Sequence, residues 1–356
     1  MQPLRILLVD DSAVIRRAIT SMLSSDPEIM VVGNAGNGTQ ALERIPGLKP
    51  DLIILDIEMP GMDGLETLVE IRKLYRKLPV IMFSTLTERG AAATLDALAR
   101  GASDYMTKPS GGLADLTPER VREDLIRKIK SLCVVRPPSQ PAPLPRLPLA
   151  PALVGTRIDV VAIGTSTGGP NALMALLPQL PPNLPVPIVI VQHMPALFTR
   201  LLAERLNVRG PLKVQEGREG ERLLAGEVWI APGDRHMTVV RKGAEVLIGV
   251  NQDPPENSCR PAVDVLFRSV AQIYKANVLA IVLTGMGADG TRGASVIRAA
   301  GGQVIAQDEA SSVVWGMPGS VVAAQLADHI YPLDGIAAET VRRVSMRRAM
   351  AKASLS

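Results

Sequence analysis

Ten short, mainly apolar runs punctuate the chain, and stretches with apolar residues at helical spacing alternate with them. The first five occupy residues 5–9, 30–32, 52–55, 80–84 and 104–106, and the second five occupy 158–163, 188–192, 228–231, 279–284 and 304–307. A run of Val, Ile and Leu without polar alternation is buried on both faces, and runs that alternate with helices build parallel sheets covered on either side. Between the two series, Pro137, Pro138, Pro141, Pro143, Pro145, Pro148 and Pro151 crowd together. Proline at this density neither continues a helix nor donates to a sheet, so the segment reads as an extended, semi-stiff connector, with a proline-rich docking motif as the alternative. The expected organisation is α/β, with a first domain at 1–133, a linker at 134–155 and a second domain at 156–350. Residues 213–250 are richer in short β-like pieces and are expected to form an antiparallel edge or hairpin extension.

A chain of 356 residues is long enough for two domains to bury separate cores, and a hydrophobic content of 47% fits a globular protein. No run approaches the roughly 18 uninterrupted apolar residues of a membrane span. Met1-Gln2-Pro3-Leu4-Arg5 leads directly into a strand, so a cytoplasmic location without membrane insertion is expected. Cys133 and Cys259 have no metal-ligand spacing, and reduced thiols are the reading for that compartment. The net charge of +4 can be traced to Arg342, Arg343, Arg347, Arg348 and Lys352 near the end of the chain. They read as a solvated helix face. No nucleic-acid partner is expected, because no helix-turn-helix or aromatic-basic platform accompanies them.

In a parallel sheet the functional groups gather at the carboxyl ends of the strands. In the first domain Asp10 and Asp11 end one run, Asp56 and Ser84 end two others, and Lys108 follows the last. Each acid taken singly reads as well as a helix cap or loop charge. Taken jointly, three carboxylates on one edge repel one another unless a cation sits among them, and Mg²⁺ takes one or two carboxylates together with waters and phosphate oxygens. The joint reading is a Mg²⁺-dependent phosphoryl acceptor, with Asp10, Asp11 and Asp56 as metal ligands, Asp56 as nucleophile, and Ser84 and Lys108 on the phosphoryl oxygens.

In the second domain the turn Gly164-Thr165-Ser166-Thr167-Gly168-Gly169 stands between a strand and a helix. Such a turn exposes the Ser166 hydroxyl at a helix N-terminus, where unpaired backbone N–H groups also favour a developing oxyanion. A phosphate- or dinucleotide-binding turn is the rival reading. It is disfavoured because Ser166 replaces the middle glycine and because the next strand ends in Gln192-His193 instead of an acid for a ribose. His193, beyond the second strand, is the favoured base, with His236 as competitor and His329 read as structural. Asp289, in a glycine-rich turn beyond a strand, is the candidate orienting acid, although an N-cap accounts for it equally. Asp234, Asp264 and Asp308 are the other candidates. The order Ser, His, Asp differs from that of α/β-hydrolases, but a triad is a matter of geometry and not of chain order.

Two sets of motifs resemble known families. Leu8-Val9-Asp10-Asp11-Ser12, Leu55-Asp56-Ile57-Glu58-Met59-Pro60, Gly61-Met62-Asp63-Gly64 and Tyr105-Met106-Thr107-Lys108-Pro109 are similar to a response-regulator receiver domain. That resemblance implies a flavodoxin-like fold, phosphorylation of Asp56 by a histidine kinase, a switch through Ser84 and Tyr105, and a cis bond at Lys108–Pro109. Ile163-Gly164-Thr165-Ser166-Thr167-Gly168-Gly169-Pro170, Val191-Gln192-His193-Met194-Pro195, Ala231-Pro232-Gly233-Asp234-Arg235-His236-Met237, Arg260-Pro261-Ala262-Val263-Asp264 and Leu283-Thr284-Gly285-Met286-Gly287-Ala288-Asp289-Gly290 resemble the protein-glutamate methylesterases of chemotaxis, the CheB family. With the receiver motifs in front, the resemblance spans nearly the whole chain; Thr165, where the family often has alanine, is a small departure. It implies a doubly wound, mainly parallel α/β domain with Ser166 as nucleophile, His193 as base and Asp289 as orienting acid.

The activity implied is hydrolysis of glutamate γ-methyl esters on methyl-accepting chemoreceptors, with deamidation of glutamines by the same route and no metal in that step. The Met286 amide is the oxyanion candidate, together with the turn after Ser166. Control by the phosphorylated receiver is expected, with the unphosphorylated form less active. The alternatives are a receiver-controlled binding module without hydrolase activity and a DNA-binding regulator, the latter disfavoured because its output domain is small, helical and basic.

Overall fold

In the computed structural model, residues 2–108, 118–133 and 157–353 are described. The proline-dense segment and Pro109 lie outside them, so the expectations of a linker conformation and of a cis Lys108–Pro109 bond fall outside the described residues. The chain divides into two compact units, Met1–Ser139 and Gln140–Ser356.

The first unit alternates strands β1 (Leu4–Val9), β2 (Ile29–Ala35), β3 (Leu52–Asp56), β4 (Val80–Ser84) and β5 (Asp104–Thr107) with helices α1 (Ala13–Leu23), α2 (Gly38–Leu48), α3 (Gly64–Leu74), α4 (Glu88–Ala99) and α5 (Pro118–Cys133). All neighbours pair in parallel, in the order β2-β1-β3-β4-β5. Every residue of β3 and β4 is buried, so helices cover both faces, as the unbroken apolar runs imply. The helices start where the sequence offers side-chain acceptors for their free N–H groups. Ser12, Asn37 and Thr87 cap α1, α2 and α4, and Asp63 with Glu66 forms a reciprocal capping box on α3. Each cap stabilises its helix by about 1 kcal/mol.

The second unit contains β6 (Val160–Thr165), α6 (Gly169–Leu176), β7 (Ile188–Gln192), α7 (Ala196–Arg209), β8 (Lys213–Glu216), β9 (Glu227–Ile230), β10 (His236–Lys242), β11 (Glu245–Asn251), α8 (Val263–Tyr274), β12 (Val278–Val282), α9 (Thr291–Ala299), β13 (Gln303–Gln307), α10 (Met317–Ala323), β14 (His329–Tyr331) and α11 (Leu333–Ala353). Seven strands form one sheet in the order β14-β13-β12-β6-β7-β9-β8, and every pairing is parallel. The region at 213–250 divides between two structures. The strands β8 and β9 extend the main sheet in parallel, while β10 and β11 form a separate antiparallel hairpin. That hairpin packs on α8, where the Ser269 hydroxyl accepts from the Val239 amide at 3.1 Å. The core joins both parts: Val160, Val189, Val191 and Val282 of the sheet pack in one cluster with Phe267 of α8 and with Val239 and Ile248 of the hairpin.

Strand order reverses in each sheet, at β1/β3 in the first and at β6/β12 in the second. At such a point the connections leave in opposite directions and open a crevice beyond the carboxyl ends. Both groups of candidate residues stand there.

The helix α11 closes the sheet near β13. Its Glu339 accepts from Arg342 at 2.7 Å and from Arg343 at 2.6 Å, and Arg343 also reaches Gln303 at 2.7 Å. The Arg342 contact, with Arg343 behind it, holds the Glu339 carboxyl down from its ordinary 4.5 to about 2. A depressed folded-state pKa adds stability above the unfolded value and loses it as pH falls through the folded one. Glu339→Gln should therefore cost roughly 1–3 kcal/mol at neutral pH. In denaturant melts the difference from wild type should shrink between pH 4.5 and about 2, the two pKa values that bound the window.

Candidate active site

In the first unit the carboxyl ends of β1, β3 and β5 bring acid and base together. The Lys108 ammonium lies 2.7 Å from Asp56 Oδ2 and 2.9 Å from Asp10 Oδ2. Asp10, Asp11 and Asp56 each offer a carboxylate oxygen, all within 4.8 Å of one another. Burial pushes the Asp56 carboxyl up to about 6 against the pull of Lys108. Burial also opposes the Lys108 ammonium, but the two carboxylates outweigh it and hold the group above its ordinary value. Although Asp10 Oδ2 is ion-paired to Lys108, this buried oxygen accepts no aligned hydrogen bond among the described residues. Three clustered carboxylates against a single ammonium, one oxygen lacking a directed donor, fit a hard divalent cation. Ser84 ends β4 nearby, and its hydroxyl donates to the Gly90 carbonyl at 3.0 Å. Tyr105 is buried on β5, with the Lys128 ammonium 5.4 Å from its ring centre.

In the second unit the turn after β6 is tied to the end of β12. Thr284 O accepts from the Ser166 amide at 3.1 Å and from the buried Thr165 hydroxyl at 2.8 Å. The Ser166 carbonyl accepts from Gln192 Nε2 at 2.9 Å and from the Gly169 amide at 2.8 Å. Gly168 takes φ +78°, a left-handed turn that glycine adopts without strain, and α6 starts at the next residue. Ser166 is thus held through its backbone on three sides, and its side chain is half-buried.

His193 follows β7, anchored by its amide to the Thr165 carbonyl at 3.2 Å. Its Nε2 meets Asp289 Oδ2 at 2.8 Å, and its Nδ1 faces the Cys259 thiol at 3.6 Å. Among the described residues the Ser166 hydroxyl makes no hydrogen bond to the ring. Asp289, 3% exposed, accepts further from the Val263 amide (2.7 Å), the Asp264 amide (3.0 Å), Asn257 Nδ2 (2.8 Å) and its own neighbour Gly290 (2.9 Å). Burial works against that carboxylate, but His193 and the amides of Val263 and Asp264 outweigh it and keep its pKa below the ordinary range. Burial likewise opposes an imidazolium at His193, and the contacts with Asp289 and Cys259 prevail, so the ring is held above its ordinary value.

The other sequence candidates stand elsewhere. His236 is buried with both nitrogens engaged by backbone: Nδ1 accepts from the Ala262 amide at 3.2 Å, which leaves Nε2 as the donor to Pro254 O at 3.2 Å. Asp234 pairs with Arg260, and Asp308 caps a turn through Ser311. Asp264 lies beside Asp289, but its oxygens take the Gly293 amide and Asn257. His329 opens β14, at the far edge of the sheet. The Met286 amide, in the turn after β12, has no hydrogen-bond partner among the described residues. Both cysteines are free.

Residues 161–340 match the family model for CheB methylesterase, and residues 6–117 match that for the response regulator receiver domain. The chain belongs to the CheB methylesterase family. A protein-glutamate methylesterase/protein-glutamine glutaminase of Trichodesmium erythraeum is 52% identical, the alignment covering 97% of this chain and 100% of the relative. Another of the same name, from a Nocardioides species, is 51% identical over 98% of this chain and 97% of its own. The crystal structure of the Thermotoga maritima CheB methylesterase catalytic domain superposes with a TM-score of 0.51 at 43% identity, covering 52% of this chain and 99% of that one.

The CheB motifs give Gln192 no role as a brace for Ser166 and do not include Asn257 or Cys259, Cys259 being read from the sequence only as a reduced thiol. The latter two sit in a polar loop whose approach to Asp289 and His193 has no local signature. Close packing is equally unannounced. A Cβ on Gly285 would stand 2.9 Å from Ser166 Cβ and 3.0 Å from Ser166 N, and would also crowd Met317. Gly285→Ala should therefore displace Ser166, lowering turnover roughly 100-fold. The loss of stability should be only about 1–3 kcal/mol, measured by melting alongside steady-state rates.

Proposed function

We propose that this chain is a phosphorylation-activated protein-glutamate methylesterase and glutaminase in which Ser166, His193 and Asp289 form the catalytic triad. The observation that carries the reading is the 2.8 Å contact of His193 with an Asp289 carboxylate saturated by donors, on the sheet edge that also presents Ser166. Asp289 fixes Nε2 as the protonated nitrogen, so Nδ1, which faces the Cys259 thiol in the free site, is the nitrogen that accepts the Ser166 proton. Hydrogen bonds between nucleophile and base are often long without substrate and tighten when it binds, and the Ser166 hydroxyl closes on Nδ1 at that stage.

Ser166 Oγ then attacks the γ-carbonyl of a glutamyl methyl ester while its proton passes to His193. The tetrahedral oxyanion is met by the Met286 amide and by the turn after Ser166. The imidazolium returns the proton to the departing methanol. Water, deprotonated by His193, cleaves the acyl-enzyme and restores the serine. A glutamine side chain reaches the same acyl-enzyme with ammonia leaving, which accounts for the deamidase activity named in the relatives. The substrates on this reading are the cytoplasmic helices of methyl-accepting chemoreceptors, and the protein works in the cytoplasm. Among the described residues no helix is long and apolar enough to cross a membrane.

Control falls to the first unit. Asp56 is the proposed phosphoryl acceptor from a chemotaxis histidine kinase, with Lys108 and Ser84 contacting the phosphoryl oxygens and Tyr105 moving in the switch. Asp10, Asp11 and Asp56 would hold Mg²⁺, which when bound offsets the charge of the transferred phosphoryl group. Lys108 supplies the remaining positive charge.

Methanol release from methylated receptor membranes tests both halves. Ser166→Ala should abolish it at any phosphorylation state, and Asp56→Asn should leave only the unstimulated rate when a small-molecule phosphodonor is added. Release that survives in Ser166→Ala would remove the serine from the mechanism. Catalysis needs the neutral ring, so the rate rises with pH through the His193 pKa. Asp289→Asn removes the charge that favours the imidazolium, and should shift that acid limb to lower pH while cutting the plateau by roughly 10²- to 10⁴-fold.

A further inference from the structure

We propose that Asn257 is a positioning residue of this site, its side-chain amide holding the Asp289 carboxylate in place and drawing off part of its charge. The proposal rests on the assignment of His193 and Asp289 made above. The Asn257 Nδ2 stands 2.8 Å from Asp289 Oδ1 and 2.9 Å from Asp264 Oδ2. Both partners are carboxylates, so the nitrogen and not the oxygen must face them, and each of its two hydrogens is used. Asp264 is fully buried and fixed in turn by the Gly293 amide at 2.6 Å. The amide is therefore clamped between an anchored carboxylate and the one that faces His193.

The backbone is shaped to deliver it. Glu256 and Cys259 exchange two hydrogen bonds, of 3.1 and 2.9 Å, around Asn257 at φ +53° and Ser258 at φ +61°. Two consecutive left-handed residues between paired flanks make a tight two-residue turn, and asparagine tolerates that conformation better than most residues. Glu256 is tied down by Arg268 through both oxygens. The same turn brings the Cys259 thiol to the other side of the His193 ring.

The charged and titratable groups around this point are Asp264 and Arg268 from α8, Glu256 and the Cys259 thiol from the turn, Arg292 from α9, and His193 itself. Burial raises the Asp264 pKa. With two carboxylates this close, an amide donor to both lets them stay ionised together, whereas an aspartate at 257 would add a third negative charge.

The test is the pH profile of methanol release by the full chain, for wild type, Asn257→Gly, Asn257→Asp and Asp289→Asn, with melting curves for each. Glycine keeps the left-handed turn and removes only the amide. Without that donor Asp289 favours the imidazolium more strongly, so the acid limb should move to higher pH. Below the limb kcat should drop roughly tenfold with KM little changed. Asn257→Asp, close in shape, should move the limb further in the same direction and stands in for the glycine variant if that one does not fold. A limb that stays at the wild-type pH in the folded variants overturns the proposal and reduces Asn257 to a turn residue. If Asp289→Asn keeps wild-type rate and profile, the triad assignment itself fails. Loss in Asp289→Asn with an unmoved limb in Asn257→Gly removes Asn257 alone.

Discussion

The pairing of β6 with β12 is the constraint on which the second unit's site depends. These strands are buried along their whole length, so polar side chains are kept to their carboxyl ends, at Thr165 and beyond. The strand order reverses between them, which opens the edge at that point. What keeps the opening from drifting is a small set of polar ties: Thr165 and the Ser166 amide on Thr284 O, and the Thr284 hydroxyl between Thr167 O and Val314. Buried hydrogen bonds of this kind are costly to leave unmade, so each removes a freedom from the turn that carries the serine.

Each unit buries carboxylates, and each compensates them differently. In the first, Asp10 and Asp56 share one ammonium, which leaves negative charge uncompensated and fits a divalent cation. In the second, Asp289 is surrounded by backbone amides, Asn257 and an imidazole, so its charge is met by fixed dipoles. The difference suits the chemistry proposed for each: a phosphoryl group brings its own charge and needs a counter-ion, whereas an orienting acid has to stay ionised through the catalytic cycle.

The α/β class, the parallel pairing and most strand positions were legible because burial on both faces leaves an unbroken apolar signature. The run at 52–55 became Leu52–Asp56 and that at 188–192 became Ile188–Gln192. The stretch at 213–250 was only half legible. The strands β8 and β9 are short and lie at the end of the sheet opposite β14, where an apolar pattern does not say whether they pair in parallel or turn back as β10 and β11 do. For the histidines, the sequence placed both His193 and His236 after strands, and only the tertiary hydrogen bonds separate them. His236 spends both nitrogens on backbone, and His193 keeps one for Asp289.

By itself the sequence determined which residues stand at strand ends and which side chains with chemical capacity the turns carry, because both follow from local patterning and from glycine at tight turns. The tertiary structure decided which of them meet. Asn257 and Asp289 are 32 residues apart, and His193 and Asp289 are 96 apart. No periodicity links such positions. Their contact depends on crossover helices that return strands to one edge, and on a left-handed turn that aims a single amide at two buried carboxylates.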